Sequence, residues 1–231
     1  MSCSRLLGSS TAVLLLCLMA GFACRDSADL PGRDLHVRSA PDSLPYYLEL
    51  EGTPYEIGLA HGSGLKTQIH QVVGLWKDRY GSRTGVDPDS LLAVLMRKND
   101  YLSSIRKYTP DLLEEVRGLA DGAGMDFNTM LAFQYLDEVG MNCMDVLADK
   151  CTGLGLAGTA GRPALVAQNM DLESLRQGYQ AVLRIKKTGA GPQVLVFTCA
   201  GLIATNGVNS RGVGVCVNAL TQLDYRLEGL P

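Results

Sequence analysis

The sequence predicts an α+β protein in which helices fill the first part of the chain and antiparallel strands fill the last part. Two observations lead to this class. Apolar residues recur at helical spacing across residues 54–138, whereas short apolar or alternating runs bounded by Gly and Pro follow Cys151. Because helices and strands occur in separate blocks, a layered α+β architecture is favoured over alternating βαβ units.

The composition is that of an ordinary globular protein. Of 231 residues, 46% are hydrophobic and 19% are charged, which excludes a disordered chain, a collagen-like repeat and a coiled coil. Lys and Arg number 21 against 24 Asp and Glu, a formal net charge of −3 without a basic stripe, so we expect no nucleic-acid partner. The seven cysteines lack C-x-x-C spacing, and the sequence has no P-loop or H-E-x-x-H motif. We therefore expect neither a metal nor a cofactor.

The N-terminus predicts export to the periplasm or the medium. Residues 1–23 combine a positive start at Arg5 with the apolar run Thr11–Ala23, and small residues stand at the −3 and −1 positions before Cys24, as in a secretory signal peptide. Two alternatives stay open: a retained membrane anchor, or a bacterial lipoprotein that reaches the membrane through a lipidated Cys24. Residues 24–44 are polar and contain prolines, which predicts a linker.

One strand and four helices are predicted between residues 45 and 150. Tyr46–Leu50 alternates in polarity like a short strand. Pro54 opens the first helix, and Thr109, an N-cap residue before Pro110, opens the third. The predicted helices are residues 55–75, 90–108, 111–120 and 126–138.

Residues 151–231 are predicted to form at least four antiparallel strands. Apolar and β-branched runs alternate there with turns that contain Gly, Pro or Ser. The predicted strands are residues 154–156, 164–169, 181–185, 193–199 and 212–220.

Cys151 is the candidate nucleophile, since it stands where the helical block changes to strands. A catalytic cysteine needs a base to form its thiolate. The histidines His36, His61 and His70 all precede it. If the bond before Cys151 is cut, the freed α-amine, with a reference pKa of about 8, can take the thiol proton instead. The alternative interpretation is a small buried hydrophobic residue at the start of a strand.

Asp171 and Asn218 are candidate partners of this cysteine. A hairpin of two short strands would bring the Asp171 carboxylate back beside the Cys151 amine. Asn218 ends an apolar strand, where its side-chain amide could donate to a developing oxyanion. The alternatives are a solvated turn carboxylate for Asp171 and a strand-terminating cap for Asn218.

Five segments carry a resemblance to a known enzyme family. They are Gly52–Gly62, Tyr108–Gly122, Asp149–Thr152, Gln168–Asp171 and Asn209–Leu220. Through these segments the chain resembles the acyl-coenzyme A:isopenicillin-N (6-aminopenicillanic acid) acyltransferase family of autoproteolytic N-terminal-nucleophile (Ntn) cysteine hydrolases.

The resemblance implies an Ntn αββα sandwich preceded by a helical proregion. Residues 45–150 would form this proregion, and self-cleavage between Lys150 and Cys151 would make it a separate small chain. Residues 151–231 would begin the catalytic sheet core. Because family members continue well beyond this length, we expect a core that is incomplete at Pro231 and a truncated chain.

The resemblance also implies residue roles. Cys151 would be the nucleophile with its own α-amine as base, Asp171 the catalytic aspartate and Asn218 the oxyanion donor. The supporting residues would be Thr152, Asn169 and Asn209. Met170 stands where the family has an aromatic residue, and Gly153 stands where it has a Thr-like residue.

The implied function is that of an exported cysteine amidohydrolase or acyltransferase that acts on small N-acyl amides and keeps its proregion chain as a partner. Hydrolysis is favoured over transfer, because coenzyme A is cytosolic. Two alternatives stay open. One is a related Ntn hydrolase that acts on lipids or bile-acid conjugates, resembling phospholipase-B-like or choloylglycine-hydrolase-like proteins. The other is an inactive truncated scaffold.

Overall fold

The computed structural model describes residues 45–98, 101–136 and 151–218. The predicted signal peptide, the predicted linker, the possible lipidation site Cys24 and the cleavage-site residue Lys150 lie outside the described residues. Within the described part of the chain, no helix combines the length and apolarity needed to cross a membrane.

Apart from strand β1, which precedes the helices, helices and strands occupy separate blocks of the described chain, as predicted for the α+β class. The first block contains strand β1 (Tyr46–Gly52) and helices α1 (Pro54–Gly64), α2 (Lys66–Thr84), α3 (Pro88–Lys98), α4 (Tyr101–Tyr108), α5 (Pro110–Ala123) and α6 (Phe127–Gln134). The second block contains strands β2 (Thr152–Leu156), β3 (Leu165–Asn169), β4 (Gln180–Lys187), β5 (Val194–Cys199), β6 (Asn206–Asn209) and β7 (Gly214–Val215), with a 3₁₀ turn at Ser174–Arg176.

The helix boundaries differ from the prediction, and α2 continues to Thr84 where the prediction ends at residue 75. The predicted helix 55–75 is two helices, because Leu65 leaves the helical region with φ −118° and ψ 25°. Thr109 holds the N-cap position of α5 without a side-chain capping hydrogen bond. Its hydroxyl instead donates backwards to the Ile105 carbonyl, at 3.5 Å. At the start of α1 the cap is complete, since Thr53 and Glu56 bond each other's backbone N–H groups.

Two strands also differ from the prediction. Strand β6 was not predicted, because its sequence Asn-Gly-Val-Asn has low strand propensity; pairing with β5 holds it in the sheet. The predicted strand 212–220 is reduced within the described residues to the two residues of β7, which pair with Gly207 and Val208.

A five-stranded sheet joins the two blocks of the chain. Its strand order is β1-β4-β5-β6-β7, in which β1 runs parallel to β4 and the other neighbours are antiparallel. Ion pairs reinforce the β1–β4 contact at Glu49–Arg184 (3.0 Å) and Glu51–Lys186 (2.6 Å). The first block therefore supplies an edge strand to the sheet of the second.

The helices cover one face of this sheet. Ala181, Leu183 and Ile185 alternate along β4 and are buried in the core. The centre of the helical side is Trp76, whose ring contacts that of Phe133 edge-on with centroids 5.3 Å apart.

Strands β2 and β3 form a separate two-stranded antiparallel hairpin. One face of the hairpin carries Val166, whose side chain lies beside Gly214 of the five-stranded sheet. Leu154, Leu156 and Leu165 lie on the other face, and these three side chains and that of Val166 are all more than half exposed. The described residues thus contain one helical layer, the large sheet and this hairpin, and the αββα sandwich is not confirmed by them.

Helices α1 and α5 cross with their backbones in contact. Four glycines make this possible: Gly58 and Gly62 on α1, and Gly118 and Gly122 on α5. A Cβ atom on any of the four would overlap a backbone carbonyl oxygen of the facing helix. Glycines of each helix face the backbone of the other, so a side chain at any of these positions would force the two helices apart.

We expect Gly58→Ala to lower the free energy of unfolding by about 2 kcal/mol or more, because the new methyl group would overlap the Glu115 carbonyl oxygen. Urea unfolding measures this change. Gly74→Ala is the matched control, since a Cβ there meets no atom within 4 Å. It should leave stability unchanged or raise it by about 0.5–1 kcal/mol. Equal effects of the two substitutions would contradict the tight crossing.

Two titratable side chains are buried beside this crossing. His61 on α1 accepts a hydrogen bond at Nε2 from the Gly201 N–H (3.4 Å), and burial lowers its pKa to about 4. Glu115 on α5 has its pKa raised to about 7 by burial, against the opposing charge of Lys187. Both side chains are therefore favoured in their neutral forms within the folded protein.

The titrations of His61 and Glu115 make the free energy of unfolding depend on pH in opposite directions. The unfolded chain protonates His61 below about pH 6.5 and the folded protein only near pH 4, so stability falls as the pH falls through this range. The unfolded chain ionises Glu115 above about pH 4.5 and the folded protein only near pH 7, so stability falls as the pH rises between them.

We therefore expect Glu115→Gln to gain stability relative to the wild type as the pH rises from 4.5 to 7, by about 1–3 kcal/mol over the range. Urea unfolding of both proteins at several pH values measures the difference. A difference that stays constant across this range would show that the Glu115 carboxyl does not titrate as its burial requires.

Candidate active site

The β2–β3 hairpin brings the ends of its two strands together. Thr152 pairs with Asn169 and Gly153 with Gln168. Extending this antiparallel register by one pair sets Cys151 opposite Met170, with Asp171 next along the chain. The hairpin predicted from the sequence is thus present, and the Cys151 end of β2 lies beside the end of β3 that leads to Asp171.

An open cavity of about 510 Å³ lies beside this end of the hairpin. Its lining residues come from β3 and the segment after it and from β4, β5 and β6. They are Gln168, Asn169, Met170, Asp171, Leu172, Gln180, Phe197 and Asn206. Asp171 is the one charged side chain among these described lining residues, and carboxamides supply most of the other polar groups.

Gln168 is the centre of a hydrogen-bonded network at this cavity. Its Oε1 accepts from Asn206 Nδ2 (3.1 Å) and from the Val217 N–H (3.2 Å). Its Nε2 donates to the Val217 carbonyl and to Asn218 Oδ1 (3.1 Å). The network fastens the segment after β7 to strand β3.

The structure brings Asn218 to the hairpin as well. Asn218 Nδ2 lies 3.3 Å from the position that a Gly153 Cβ would occupy. The Cys151 side chain is half-buried. Among the described residues, the network bonds join Asn218 to Gln168 but do not extend to the Cys151 thiol or the Asp171 carboxylate.

The supporting residues divide between this site and another part of the fold. Thr152 and Asn169 form the strand pair next to Cys151. Asn209 is the last residue of β6, and its Oδ1 accepts from the backbone N–H groups of Arg211 (3.0 Å) and Val213 (3.1 Å) in the turn that follows. The geometry of Asn209 is that of a turn-forming residue.

Sequence reasoning missed several residues of the cavity. Gln168 lies in the segment Gln168–Asp171 that carries the resemblance, and the hairpin pairs it with Gly153, but its contacts with Val217 and Asn218 have no signal in the sequence. Asn206 belongs to the unpredicted strand β6.

The run Gly153–Gly158 has the G-x-G-x-x-G spacing of dinucleotide-binding loops. A dinucleotide-binding loop of this spacing follows a strand and opens a helix. Here the run forms β2 itself and the start of the connection to strand β3, so it does not have that structure.

The described thiols differ in their surroundings. Cys151, Cys199 and Cys216 are all free, and Cys199 is buried. Burial raises the pKa of Cys199 to about 11, although the charge of Arg176 opposes this shift. Elsewhere in the described residues, no cluster of three His, Cys, Asp or Glu side chains could hold a metal ion.

Comparison with known proteins finds similarity to an acyltransferase. Over 185 residues, 80% of this chain, the sequence is 29% identical to the acyl-coenzyme A:6-aminopenicillanic-acid-acyltransferase 40 kDa form of Emericella nidulans, of which it covers 50%. The similarity supports an enzyme of the acyltransferase or hydrolase type. Over 76% of its length, the chain is also 25% identical to protein dcd1A of Dictyostelium discoideum, of which it covers 44%. The chain thus spans about half the length of these relatives. No protein-family profile matches it.

We expect Cys199 to resist alkylation in the folded protein. A pKa of about 11 leaves little thiolate at pH 8, so iodoacetamide should modify Cys199 about a hundredfold more slowly in buffer than in urea. Peptide mass spectrometry measures the rates, and the half-buried Cys216 serves as the comparison within the same molecule. Equal rates at Cys199 and Cys216 in buffer would contradict the burial.

Proposed function

We propose that this protein is an Ntn-type cysteine hydrolase or acyltransferase that cleaves its own backbone between Lys150 and Cys151. The mature enzyme then acts on the amide bond of small N-acyl compounds. The observation that supports the proposal is the hairpin: β2 begins directly after Cys151, and its partner β3 leads directly into the segment with Asp171, which lines the cavity.

Self-cleavage begins at the Cys151 thiol. Its sulfur attacks the Lys150 carbonyl carbon, the peptide C–N bond breaks, and the thiol proton goes to the departing nitrogen. Water then hydrolyses the thioester, which leaves a carboxylate on Lys150 and regenerates the thiol. The new chain begins with the α-amine of Cys151, which serves as the base in later turnovers.

Turnover uses the same sulfur. The α-amine accepts the thiol proton, and sulfur attacks the substrate amide to form a tetrahedral oxyanion. That oxyanion collapses to a thioester as the amine leaves with the proton, and water or an acceptor amine then takes the acyl group. Asp171 stabilises the charged α-amine, and Asn218 donates to the oxyanion. Thr152 and Asn169 support the strand pair beside the nucleophile.

The helical chain stays bound after cleavage and acts as the partner of the catalytic chain. Besides the β1–β4 pairing, polar contacts cross between the two blocks. Gln134 Nε2 donates to the Gly201 carbonyl (2.8 Å), and Gln134 Oε1 accepts from the Ile203 N–H (3.1 Å). Arg79 pairs with Glu173 at 2.9 Å. These contacts and the shared core do not depend on the bond between residues 150 and 151.

The cavity favours a small neutral acyl group. Met170, Leu172 and Phe197 supply apolar surface, and the carboxamides supply hydrogen bonds, while Asp171 would repel an anionic substrate. We further propose that the protein is exported and that hydrolysis predominates over transfer. Membrane attachment would require lipidation of Cys24.

The intact mass of the purified full-length gene product tests the proposal. We expect two chains that meet between Lys150 and Cys151, and a single uncut chain for Cys151→Ala, which lacks the attacking sulfur. Cys216→Ala is the matched control, because it removes a half-buried thiol outside the proposed mechanism. An uncut wild-type protein, or a Cys151→Ala variant that is still cut, would overturn the assignment.

A further inference from the structure

We propose that Gln168 is a positioning residue that fixes the orientation of the Asn218 carboxamide, so that its NH₂ group faces the side of the hairpin that carries the Cys151 side chain. This role rests on the proposed function, in which Asn218 donates to the oxyanion. Gln168 itself touches neither the nucleophile nor the oxyanion in this scheme.

The orientation of the Gln168 amide follows from its two bonds to Val217. Its Oε1 faces the Val217 N–H at 3.2 Å and its Nε2 faces the Val217 carbonyl. A backbone N–H can only donate and a carbonyl oxygen can only accept. In the reversed amide, the NH₂ group of Gln168 would face the Val217 N–H, and its oxygen would face the Val217 carbonyl oxygen. The positions of the oxygen and nitrogen of Gln168 are therefore determined by the backbone.

The orientation of Asn218 follows in turn. Since Gln168 Nε2 is a donor, the Asn218 atom 3.1 Å from it must be the acceptor Oδ1. The Asn218 NH₂ group then points away from Gln168, and among the described residues no hydrogen bond uses it as a donor. Asn206 completes the set by donating to Gln168 Oε1 at 3.1 Å, so all four hydrogen-bonding positions of the Gln168 amide are used.

Gly153 leaves the space that this NH₂ group faces on the hairpin. Asn218 Nδ2 is the atom nearest to the space that a side chain at Gly153 would fill. Residues two apart in an extended strand project to the same face, so Cys151 and Gly153 share a face. Gln168 is the cross-strand partner of Gly153 and lies on that face too.

Gln168→Glu tests the role, because it alters the donor and keeps the acceptor. A carboxylate still accepts from the Val217 N–H and from Asn206, but its second oxygen repels both the Val217 carbonyl oxygen and Asn218 Oδ1. The Asn218 carboxamide then turns over, so that its NH₂ group donates to the carboxylate. With N-butanoyl-p-nitroanilide as the probe, we expect kcat to fall about a hundredfold and KM to change by less than about threefold. Gln193→Glu is the charge-matched control at an exposed position and should retain wild-type kinetics.

The double variant Gln168→Glu/Asn218→Ala distinguishes positioning from a general structural role. If Gln168 acts through Asn218, then the double variant should lose no more than Asn218→Ala alone. Losses that multiply would overturn the proposal, as would wild-type kinetics for Gln168→Glu.

Amide hydrogen exchange of the uncut Cys151→Ala protein tests the geometry without catalysis. The Val217 N–H lies beyond strand β7 and donates to Gln168, so it should exchange at least about tenfold more slowly than in an unprotected peptide. Gln168→Ala should remove this protection. An unprotected Val217 in this protein would overturn the role of Gln168, whereas a wild type that neither cleaves itself nor hydrolyses the anilide would overturn the proposed function alone.

Discussion

The parallel pairing of β1 with β4 is the constraint on which the rest of the structure depends. Strands β4 to β7 form one antiparallel run, and β1 extends it from a distant part of the chain with seven residue pairs. Helix α1 begins two residues after β1, at Pro54, so the strand pairing also fixes where the helical layer starts on the sheet. The glycine crossing then sets α5 against α1. Strand pairing, helix placement and the buried face of β4 are therefore parts of one arrangement.

His61 illustrates how this arrangement uses a residue that could be mistaken for a catalytic base. Its Nε2 accepts from the backbone N–H of Gly201, and its burial favours the neutral imidazole. A histidine that serves as an acceptor for a backbone group inside the core has no free lone pair at that nitrogen for proton transfer. It connects α1 with the turn after β5, in the same region where Gln134 binds Gly201 and Ile203. Its Nε2 is therefore occupied by a structural hydrogen bond.

The sequence was informative where local chemistry decides the structure and uninformative where distant partners decide it. Hydrophobic spacing predicted the change from helices to strands at Cys151 and the hairpin that follows it. Strand β6 was missed because Asn206–Asn209 has little strand propensity and is held by β5. Thr109 was predicted to cap α5, but its hydroxyl bonds the preceding helix instead. The environment of Gln168 depends on Val217 and Asn218, some fifty positions later, and no local pattern specifies such a contact.

Gly153 is a position at which the chain differs from the family that it resembles, and the structure shows what lies beside it. Relatives of the family that the chain resembles have a Thr-like residue at this position, and its loss would suggest a weakened site. In this fold a Cβ at Gly153 would come within 3.3 Å of Asn218 Nδ2, a distance tighter than most side-chain contacts. The small residue and the position of the Asn218 carboxamide are therefore linked, since a larger side chain would displace either Asn218 or the hairpin. The Asn218 carboxamide, whose Oδ1 accepts from Gln168, thus lies against the space that a side chain at Gly153 would enter.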